Sequence, residues 1–485
     1  MKYAPVQNYI NGKFEDAGSA RALDVISPLD GNLLSKVPMS TAKDLDLAVK
    51  AAKAAFPSWS RTPIKERVQV FYRYKYLLEK NLEELSALVS EENGKTIGEA
   101  TAEIEKCIEL TEFACSLPQL VTGEVLEVSK GVECRTEHVP LGVVASIVPF
   151  NFPSMVPNWT LPNAIALGNC MVIKPSEKVP LSVGRLAILL KEAGLPDGVF
   201  NVVHGDSEIV EAICDHPGIE AVSFVGSTKV AKIVYQRSTS HYKRCLALGG
   251  AKNHLMVLPD AKADMTAQNV AASMTGCAGQ RCMAASAMVA VGEVDHIIQK
   301  ICDEAKKIIP GKNLGAVISQ QSKEKIEKYI TEAEQDGAKI LVDGRGAKVD
   351  GKEKGTYVGP TVIDFVKPDM AVAKEEIFGP VISIMRTNTV DEAIAIENAS
   401  PYGNAASVFT QNGGMARYII DRSSAGMIGV NVGVPVPREP FSFGGWNESK
   451  FGVGDITGKS SIEFWTKLKK STTKWNPEAG VNWMS

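Results

Sequence analysis

The chain has little of what marks nucleic-acid-binding, membrane or secreted proteins. Its 485 residues carry a formal net charge of −3, so no excess of positive charge favours nucleic acid or an acidic membrane surface. The sequence has no apolar run near the roughly 20 residues that span a bilayer, and its N-terminus has no apolar signal core. We therefore expect a cytoplasmic protein with no nucleic-acid partner and no membrane partner.

Metal sites, disulfide frameworks and the usual dinucleotide fingerprint are also missing. The nine cysteines form no Cys-x-x-Cys pair, and the six histidines do not have the spacing of metal ligands. No Gly-x-Gly-x-x-Gly stretch occurs, so the common sequence signal for a dinucleotide is absent. We expect free thiols, a reducing compartment and no bound metal.

The composition is that of a soluble globular protein long enough for two or three domains, with 45% hydrophobic and 22% charged residues. Residues 8–40 alternate short apolar pieces with turn residues, which predicts one or two hairpins. Helical periodicity over 42–114 predicts three or four long helices, whereas 120–123, 132–139 and the tail from 462 to 475 have the pattern of strands. A strand at a chain end needs a partner, and we expect another subunit to provide it.

The middle of the chain has a repeating strand and helix pattern. Short apolar strands recur about every 25 residues, at 143–148, 171–173, 199–203 and 221–225, with amphipathic helices between them. This pattern predicts a parallel sheet, in which ligands bind beyond the carboxyl ends of the strands. The residues at those ends include Asn151 between two prolines, Lys174 with Glu177, and Ser227 in a turn whose N–H groups could hold a phosphate.

One thiol, Cys282, lies in a segment of small residues that leaves room around it. The segment 275–285 contains two glycines and several alanines, and Arg281 is adjacent to the thiol. A fixed positive charge favours the thiolate, which is the form that attacks carbonyl groups. Cys282 is therefore a candidate nucleophile. It lies within a second set of alternating strands and helices, which begins near His254.

Seven stretches resemble the signatures of the aldehyde dehydrogenase superfamily, in order and over essentially the whole chain. They are 149–153 (PFNFP), 174–177 (KPSE), 224–228 (FVGST), 248–250 (LGG), 279–282 (GQRC), 376–380 (EIFGP) and 443–445 (FGG). Within that superfamily, residues 250–254 and 280–284 look most like the CoA-acylating methylmalonate-semialdehyde dehydrogenases.

The resemblance implies an α/β fold with three parts. A Rossmann-like NAD-binding domain would comprise residues 1–118 and 141–247, and an α/β catalytic domain would comprise 248–460. A small β oligomerisation arm would comprise 119–140 and 461–485. The resemblance also implies a homotetramer built as a dimer of dimers.

The resemblance assigns roles to individual residues. Cys282 matches the nucleophile, and Asn151 matches the side chain that stabilises the oxyanion together with the Cys282 N–H. The residues that match the NAD-binding positions are Phe150, Lys174, Glu177, Ser227, Glu376 and Phe378. Glu177 favours NAD over NADP, because a 2′-phosphate would face a like charge.

One departure from the resemblance predicts the acyl acceptor. Hydrolytic members of the superfamily place a glutamate just before the Leu-Gly-Gly stretch, whereas residues 244–248 (RCLAL) contain no carboxylate. Depending on the alignment, Ala247 or Leu248 occupies that position. Loss of a positioned base costs roughly two to four orders of magnitude in rate. We therefore expect the thioester on Cys282 to be released by coenzyme A, giving propionyl-CoA or acetyl-CoA with loss of CO2.

The substrate-binding candidates are Arg281, Lys106, Arg438 and Phe443. The resemblance implies two arginines that hold the carboxylate of a semialdehyde, and Arg281 matches one of them. Lys106 falls at the other position, where it keeps the charge but lacks the planar guanidinium. Arg438 could serve as a further anion clamp, or it could be a surface arginine paired with Glu439. Malonate and methylmalonate semialdehyde both remain candidate substrates.

Three alternatives remain open at this point. One is a hydrolytic, NAD-dependent dehydrogenase that gives a free acid with Glu375 or Glu448 as the base. The second is an acylating enzyme for a different short aldehyde. The third is a binding or structural protein that keeps the fold without the chemistry, which the presence of both Cys282 and Asn151 disfavours.

Overall fold

The structure is a computed structural model that describes residues 1–475. The N-terminal segment forms the two predicted hairpins, with strands β1 (Asn8–Ile10), β2 (Lys13–Glu15), β3 (Ala22–Ile26) and β4 (Leu33–Pro38). Asn11 and Gly12, with φ of 51° and 78°, make the turn between β1 and β2. Two consecutive residues with positive φ are what a tight hairpin turn requires, which is why this Asn-Gly pair predicted it.

Four helices follow, as the periodicity predicts. They are α1 (Ala42–Arg61), α2 (Ile64–Lys80), α3 (Leu82–Asn93) and α4 (Ile97–Leu120). Thr96 and Glu99 form a reciprocal capping box that fixes the start of α4. The strand predicted at 120–123 is wrong, because α4 continues to Leu120 and keeps Leu117 fully buried.

The next part of the chain alternates strands and helices. Its elements are β5 (Val125–Ser129), β6 (Val132–Pro140), β7 (Val143–Ile147), α5 (Met155–Ala166), β8 (Cys170–Lys174), α6 (Leu181–Glu192), β9 (Phe200–Val202), α7 (Ser207–Asp215), β10 (Ala221–Val225), α8 (Thr228–Ser240) and β11 (Arg244–Leu248). All residues of β7 and β8 are buried, as expected of central parallel strands.

A second alternating set follows. It contains β12 (Asn253–Val257), α9 (Ala263–Thr275), β13 (Ala285–Val291), α10 (Asp295–Lys306), α11 (Gln320–Gln335), β14 (Lys339–Val342), β15 (Thr361–Asp364), α12 (Ala371–Lys374), β16 (Val381–Thr387), α13 (Val390–Asn398), β17 (Tyr402–Gly403), β18 (Ala405–Phe409), α14 (Gly413–Ile420), β19 (Met427–Val430), β20 (Trp446–Asn447), β21 (Lys450–Phe451), α15 (Ser460–Trp465) and β22 (Thr466–Lys474).

The first sheet has the strand order β2-β1-β9-β8-β7-β10-β11-β21. The five strands from β9 to β11 are parallel, and the chain order reverses direction between β7 and β10. A crevice opens beyond the carboxyl ends of the strands at such a reversal, and dinucleotides bind there. The sheet is therefore Rossmann-like even though the glycine fingerprint is missing.

The second sheet has the order β14-β15-β16-β13-β12-β18-β19, and only β14 is antiparallel to its neighbour. The predicted α/β architecture with two parallel sheets is confirmed, since the strands of each sheet alternate with helices along the chain. The predicted domain limits stay a prediction, and residues 476–485 of the predicted arm lie outside the described residues.

A third, small sheet with the order β22-β6-β5 is formed by the predicted arm. β22 pairs along its whole length with β6 of the same chain, from Thr466 opposite Pro140 to Lys474 opposite Val132. The tail therefore finds its strand partner within the chain. The strand predicted to begin at 462 instead begins at Thr466, because Ile462, Phe464 and Trp465 bury their side chains from the short helix α15.

Within residues 1–475, no helix is long and apolar enough to cross a membrane. All nine cysteines lie in this part of the chain, and each is a free thiol.

The buried amide of Asn169 joins the loop between β6 and β7 to the helices α5 and α15. Its Oδ1 accepts from the N–H groups of Leu141 (2.8 Å) and Gly142 (3.2 Å), and its Nδ2 donates to the carbonyls of Ala164 (3.0 Å) and Trp465 (2.9 Å). Because Asn169 is fully buried, losing the amide would leave main-chain groups without partners away from water.

We therefore expect Asn169→Leu to lower the free energy of unfolding by about 2–4 kcal/mol. Chemical denaturation at a fixed protein concentration measures it. The matched control is Asn398→Leu, because Asn398 also bonds main-chain groups but is exposed to water, and its loss should cost less than about 1 kcal/mol. Equal effects of the two variants would contradict the assignment.

Candidate active site

The site lies where two sheet edges face each other. The first sheet contributes Asn151 in the loop after β7, Lys174 at the end of β8 and Ser227 in the turn after β10. From the second sheet come segments that precede four neighbouring strands, β16, β13, β12 and β18. These segments carry Glu376 and Cys282 among others, so residues far apart in the chain are brought together by the strand order.

Cys282 lies between two cavities. The larger, of about 570 Å³, is lined by Cys282 and by all four predicted substrate-binding residues. Phe152, Met155 and Trp159 form its apolar wall next to the Asn151 loop. A smaller cavity is lined by Cys282, Glu376 and Phe378. Cys282 is therefore shared by the linings of the two cavities.

Two side-chain amides hold the main chain of Cys282. The carbonyl of Cys282 accepts from Nδ2 of Asn253 at 2.7 Å and from Nδ2 of Asn404 at 2.9 Å. Asn253 also donates to the carbonyl of Ala284 (2.9 Å), and its Oδ1 accepts the N–H of Ala405 (3.1 Å). Because both amides are buried, the peptide plane after Cys282 is fixed relative to β12 and β18.

The turn before the thiol is strained and braced. Cys277, Ala278 and Gly279 have φ of 53°, 52° and 70°, a left-handed conformation that costs a non-glycine residue roughly 1–2 kcal/mol. Glu99 at the start of α4 accepts the N–H of Cys277 at 2.6 Å, and Oε1 of Gln280 accepts the N–H of Ile318 at 2.9 Å. These contacts keep the loop in a conformation that presents the next residues to the cavities.

A buried ion pair supports the Asn151 loop. Nζ of Lys95 pairs with the carboxylate of Glu103 and also donates to the carbonyl of Asn151 at 2.6 Å. The other oxygen of Glu103 accepts the N–H groups of Ser154 (2.8 Å) and Met155 (3.0 Å) at the start of α5. Both charged side chains are almost fully buried, and breaking such a pair costs about 3–5 kcal/mol. The loop that carries Asn151 is therefore held from two sides.

The surroundings of Cys282 favour the protonated thiol. Burial, followed by the carboxylate of Glu376, raises the pKa of Cys282 to about 12. Arg281 lowers it, as predicted from the sequence, but by less than burial raises it. The guanidinium of Arg281 donates its hydrogen bonds to main-chain carbonyls rather than to the thiol. The acceptors are Ala272 (2.9 Å) and Ser273 (3.0 Å) at the end of α9.

The smaller cavity is lined by two of the predicted NAD-binding residues, Glu376 and Phe378. Burial raises the pKa of Glu376 to about 7, and its Oε1 accepts the N–H of Ala251 at 3.0 Å. A Cβ on Gly250 would lie 2.5 Å from Oε2 of Glu376, so a larger residue there would force the carboxylate to move. The rings of Phe150 and Phe378 meet edge to face at 5.8 Å, which joins the loop after β7 to the Glu376 segment.

The remaining NAD-binding candidates lie along the carboxyl edge of the first sheet. Nζ of Lys174 donates to the carbonyls of Pro175 (2.6 Å) and Gly205 (2.7 Å) and lies 3.7 Å from Glu177. Ser227 precedes α8, and within residues 1–475 its side chain does not cap the N–H groups of that helix. Uncapped amides at a helix N-terminus suit a pyrophosphate, and the Lys174 and Glu177 pair suits ribose hydroxyls.

The larger cavity differs from the expectation at Lys106. Its Nζ forms ion pairs with Glu439 at 2.7 Å and Glu109 at 3.0 Å, so it is already engaged with carboxylates. Arg438 is largely exposed. The carboxylate within ion-pair distance of its guanidinium is that of Glu109, at 3.9 Å, rather than that of Glu439. Phe443 stacks on Trp159 with ring centroids 4.6 Å apart and forms part of the apolar wall.

The position of the missing base is filled by aliphatic side chains, since Ala247 and Leu248 are both buried in β11. The two alternative bases are engaged elsewhere: Glu375 accepts from the hydroxyl of Tyr329, and Glu448 pairs with Lys232 at 2.6 Å. Of the carboxylates in residues 1–475, Glu376 is the one that lines the smaller cavity with Cys282.

Several residues of the site have no role in the sequence-based prediction. These are Lys95, Glu99, Glu103, Asn253, Asn404 and Glu439. Asn253 lies in the stretch 250–254, which resembles the family, and this resemblance could have marked it as a residue of the site. Glu99 belongs to the local Thr96 capping box, which predicts the start of a helix but not a contact with Cys277. The others reach the site through residues distant in the sequence, so no local pattern marks their role.

Comparison with known proteins agrees with this geometry. The pattern of the Aldehyde dehydrogenase family matches residues 14–471. Malonate-semialdehyde dehydrogenase 1 of Geobacillus thermodenitrificans is 44% identical over 97% of this chain and 99% of its own length. The acylating mitochondrial methylmalonate-semialdehyde/malonate-semialdehyde dehydrogenase of Homo sapiens is 42% identical over 98% of this chain and 90% of its own. The crystal structure of a Sinorhizobium meliloti 1021 protein complexed with NAD superposes on this chain with a TM-score of 0.96. The two chains are 40% identical, and the match covers 98% of this chain and 99% of that chain.

The raised pKa of Cys282 predicts how its alkylation depends on pH. Without cofactor, we expect the rate of iodoacetamide labelling at Cys282 to rise about tenfold per pH unit from pH 7 to pH 10, because the thiolate fraction does so below the pKa. Mass spectrometry of the peptide that contains Cys282 measures this rate. A plateau below pH 9 would contradict the prediction.

The same assay tests the contribution of Glu376. At pH 9 we expect Glu376→Gln to speed the labelling of Cys282, because removing the negative charge lowers the pKa of the thiol. The matched control is Glu375→Gln, which removes the adjacent, exposed carboxylate and should leave the rate unchanged.

Proposed function

Because this chain belongs to the aldehyde dehydrogenase family, we propose that it oxidises a short anionic semialdehyde with NAD and passes the acyl group to coenzyme A. The observation that carries the proposal is the position of Cys282 between two cavities. One cavity can hold the aldehyde, and the other has the groups that suit the nicotinamide end of NAD. Two relatives more than 40% identical over nearly the whole chain are named for malonate or methylmalonate semialdehyde.

In the proposed mechanism the sulfur of Cys282 adds to the aldehyde carbon, and the oxyanion that forms accepts from the Asn151 amide and the Cys282 N–H. Bound NAD would accept the hydride from that carbon. Phe150, Lys174, Glu177, Ser227, Glu376 and Phe378 would hold it. The thiol proton passes to water as the sulfur adds, a step that the raised pKa of Cys282 makes less favourable. The carbonyl re-forms as a thioester on Cys282 when the hydride leaves.

Release of the acyl group then depends on the next nucleophile. The aliphatic residues Ala247 and Leu248 occupy the position of the hydrolytic base, which supports a thiol acceptor over water. The thiolate of CoA attacks the thioester, Cys282 leaves, and acyl-CoA forms. For a 3-oxo acid, loss of the carboxylate as CO2 or bicarbonate accompanies the sequence, giving acetyl-CoA or propionyl-CoA.

Glu376 supports one specific alternative. Burial raises the pKa of Glu376 to about 7, in the range that suits a general base, and the residue shares a cavity with Cys282. If this carboxylate activated water after the reduced cofactor left, the product would be a free acid. In that case Glu376→Gln would abolish the release of free acid.

The proposed function predicts a dependence of turnover on CoA. Without CoA we expect a burst of about one NADH per active chain followed by slow turnover, and with CoA a steady rate at least about 100-fold higher. Stopped-flow absorbance with identification of the acyl product measures both. Cys282→Ala should show no burst, and full steady turnover to free acid without CoA would contradict the proposal.

The proposal extends to assembly and location. β5 is exposed along its whole length, and Leu126, Val128 and Leu468 are each more than half exposed on the small sheet. Such an apolar sheet supports the homotetramer, built as a dimer of dimers, in which a neighbouring subunit covers it. Nine free cysteines support a reducing, cytoplasmic location.

Charge on the exposed arm should therefore weaken assembly. We expect Leu126→Glu combined with Val128→Glu to shift the mass measured by light scattering from four chains towards fewer. Glu127→Gln, between them on the same strand, is the matched control and should keep the parental mass. An unchanged mass in the double variant would contradict the role of this sheet.

A further inference from the structure

The larger cavity contains a carboxylate of the protein itself at the point where a substrate carboxylate is expected. Glu439 lies in a loop between two prolines and reaches across the cavity to Lys106 on α4, with Oε2 2.7 Å from Nζ. Its side chain is only 13% exposed, so this ion pair is poorly screened by water. Lys106 has a second carboxylate at 3.0 Å, that of Glu109.

The other charged residues of the cavity do not compensate for the neutralisation of Lys106 by Glu439 and Glu109. Glu105, Glu109 and Glu439 line the cavity together with Lys106, Arg281 and Arg438, so the acidic and basic residues balance in number. An anionic aldehyde that approached Lys106 would meet two carboxylates at contact distance from the ammonium group. Like charges brought together in this way oppose binding.

Arg281 is placed differently. Its terminal nitrogen donates to two main-chain carbonyls, whereas its Nε is buried and has no hydrogen-bond partner among residues 1–475. A permanent cation without a carboxylate partner favours an anionic ligand nearby. The two cations expected to clamp the substrate are therefore unequal, because Lys106 is paired with two carboxylates whereas Arg281 forms no ion pair within residues 1–475.

We propose that Glu439 is a specificity-determining residue whose carboxylate occupies the cationic site of Lys106. An anionic semialdehyde would then be held at its carboxylate by Arg281 rather than by two cations, and Glu439 would set how strongly it is preferred over an uncharged aldehyde. This inference rests on the proposed function to the extent that an aldehyde must acylate Cys282. It does not depend on whether CoA or water then collects the acyl group.

The test compares 3-oxopropanoate with propanal, which have the same number of carbon atoms and differ by the carboxylate. The NADH burst in the absence of CoA reports the acylation half-reaction, so kburst/KM for each aldehyde can be measured without the acceptor. We expect Glu439→Gln to raise the ratio of kburst/KM for 3-oxopropanoate over propanal by about 5- to 20-fold, because it removes a like charge and frees Lys106. Glutamine keeps a hydrogen bond to Lys106, so the cavity wall is retained.

Two further variants identify the cause. In the Lys106→Met background, Glu439→Gln should change the ratio by less than about twofold, because the freed cation is no longer there. Glu105→Gln removes a cavity carboxylate that is not paired with Lys106, and it should also change the ratio by less than about twofold.

Each contrary outcome has a distinct meaning. An unchanged or lower ratio in Glu439→Gln overturns the inference, and so does an equal gain in Glu105→Gln or a gain that persists without Lys106. The absence of an NADH burst with both aldehydes in the parental chain would instead overturn the proposed function. Circular dichroism and the parental oligomer mass confirm that each variant is folded.

Discussion

The main-chain carbonyl of Cys282 accepts hydrogen bonds from two buried side-chain amides, those of Asn253 and Asn404. Asn253 begins β12 and Asn404 immediately precedes β18, and these strands are neighbours in the second sheet. The sulfur and the N–H of Cys282 belong to the same residue, so a peptide plane fixed in this way limits the directions of both. Chemistry at the thiol depends on how β12 and β18 are aligned with each other. An N–H group stabilises an oxyanion only if it lies within a few tenths of an ångström of the right place.

The opposite wall of the site is fixed by charge rather than by amides. Lys95 and Glu103 place a desolvated ion pair under the Asn151 loop and the start of α5. A buried ion pair is weak support for stability, since apolar residues of the same volume are often as good. It does impose one geometry, because each charge must keep all of its partners. The two walls are thus positioned independently, one from each sheet, and meet at the larger cavity beside Cys282.

Much of the architecture follows from patterns that are local in the sequence. The hairpin turn at Asn11 and Gly12, the helices over 42–120 and the strands β7, β8 and β10 are predicted because turn chemistry and periodicity act over a few residues. The position of Asn151 follows from the rule that ligands lie beyond the carboxyl ends of parallel strands. Glu439 could not be found in this way, because its partner Lys106 is 333 residues away. The start of the tail strand was misplaced for a related reason, since burial of Trp465 in the core outweighs an alternating pattern.

The short strand β21 has a consequence for the order in which the protein matures on the ribosome. Lys450 and Phe451 complete the edge of the first sheet by pairing with Leu248 and Ala247, although they are made about 200 residues later. At typical rates of translation, that edge stays open for about 10–40 s after β11 has emerged. During this interval its main-chain groups are accessible to other nascent chains, and closure must await nearly the whole polypeptide. If the two halves of the chain were translated separately, neither could therefore form the complete hydrogen bonding of the first sheet.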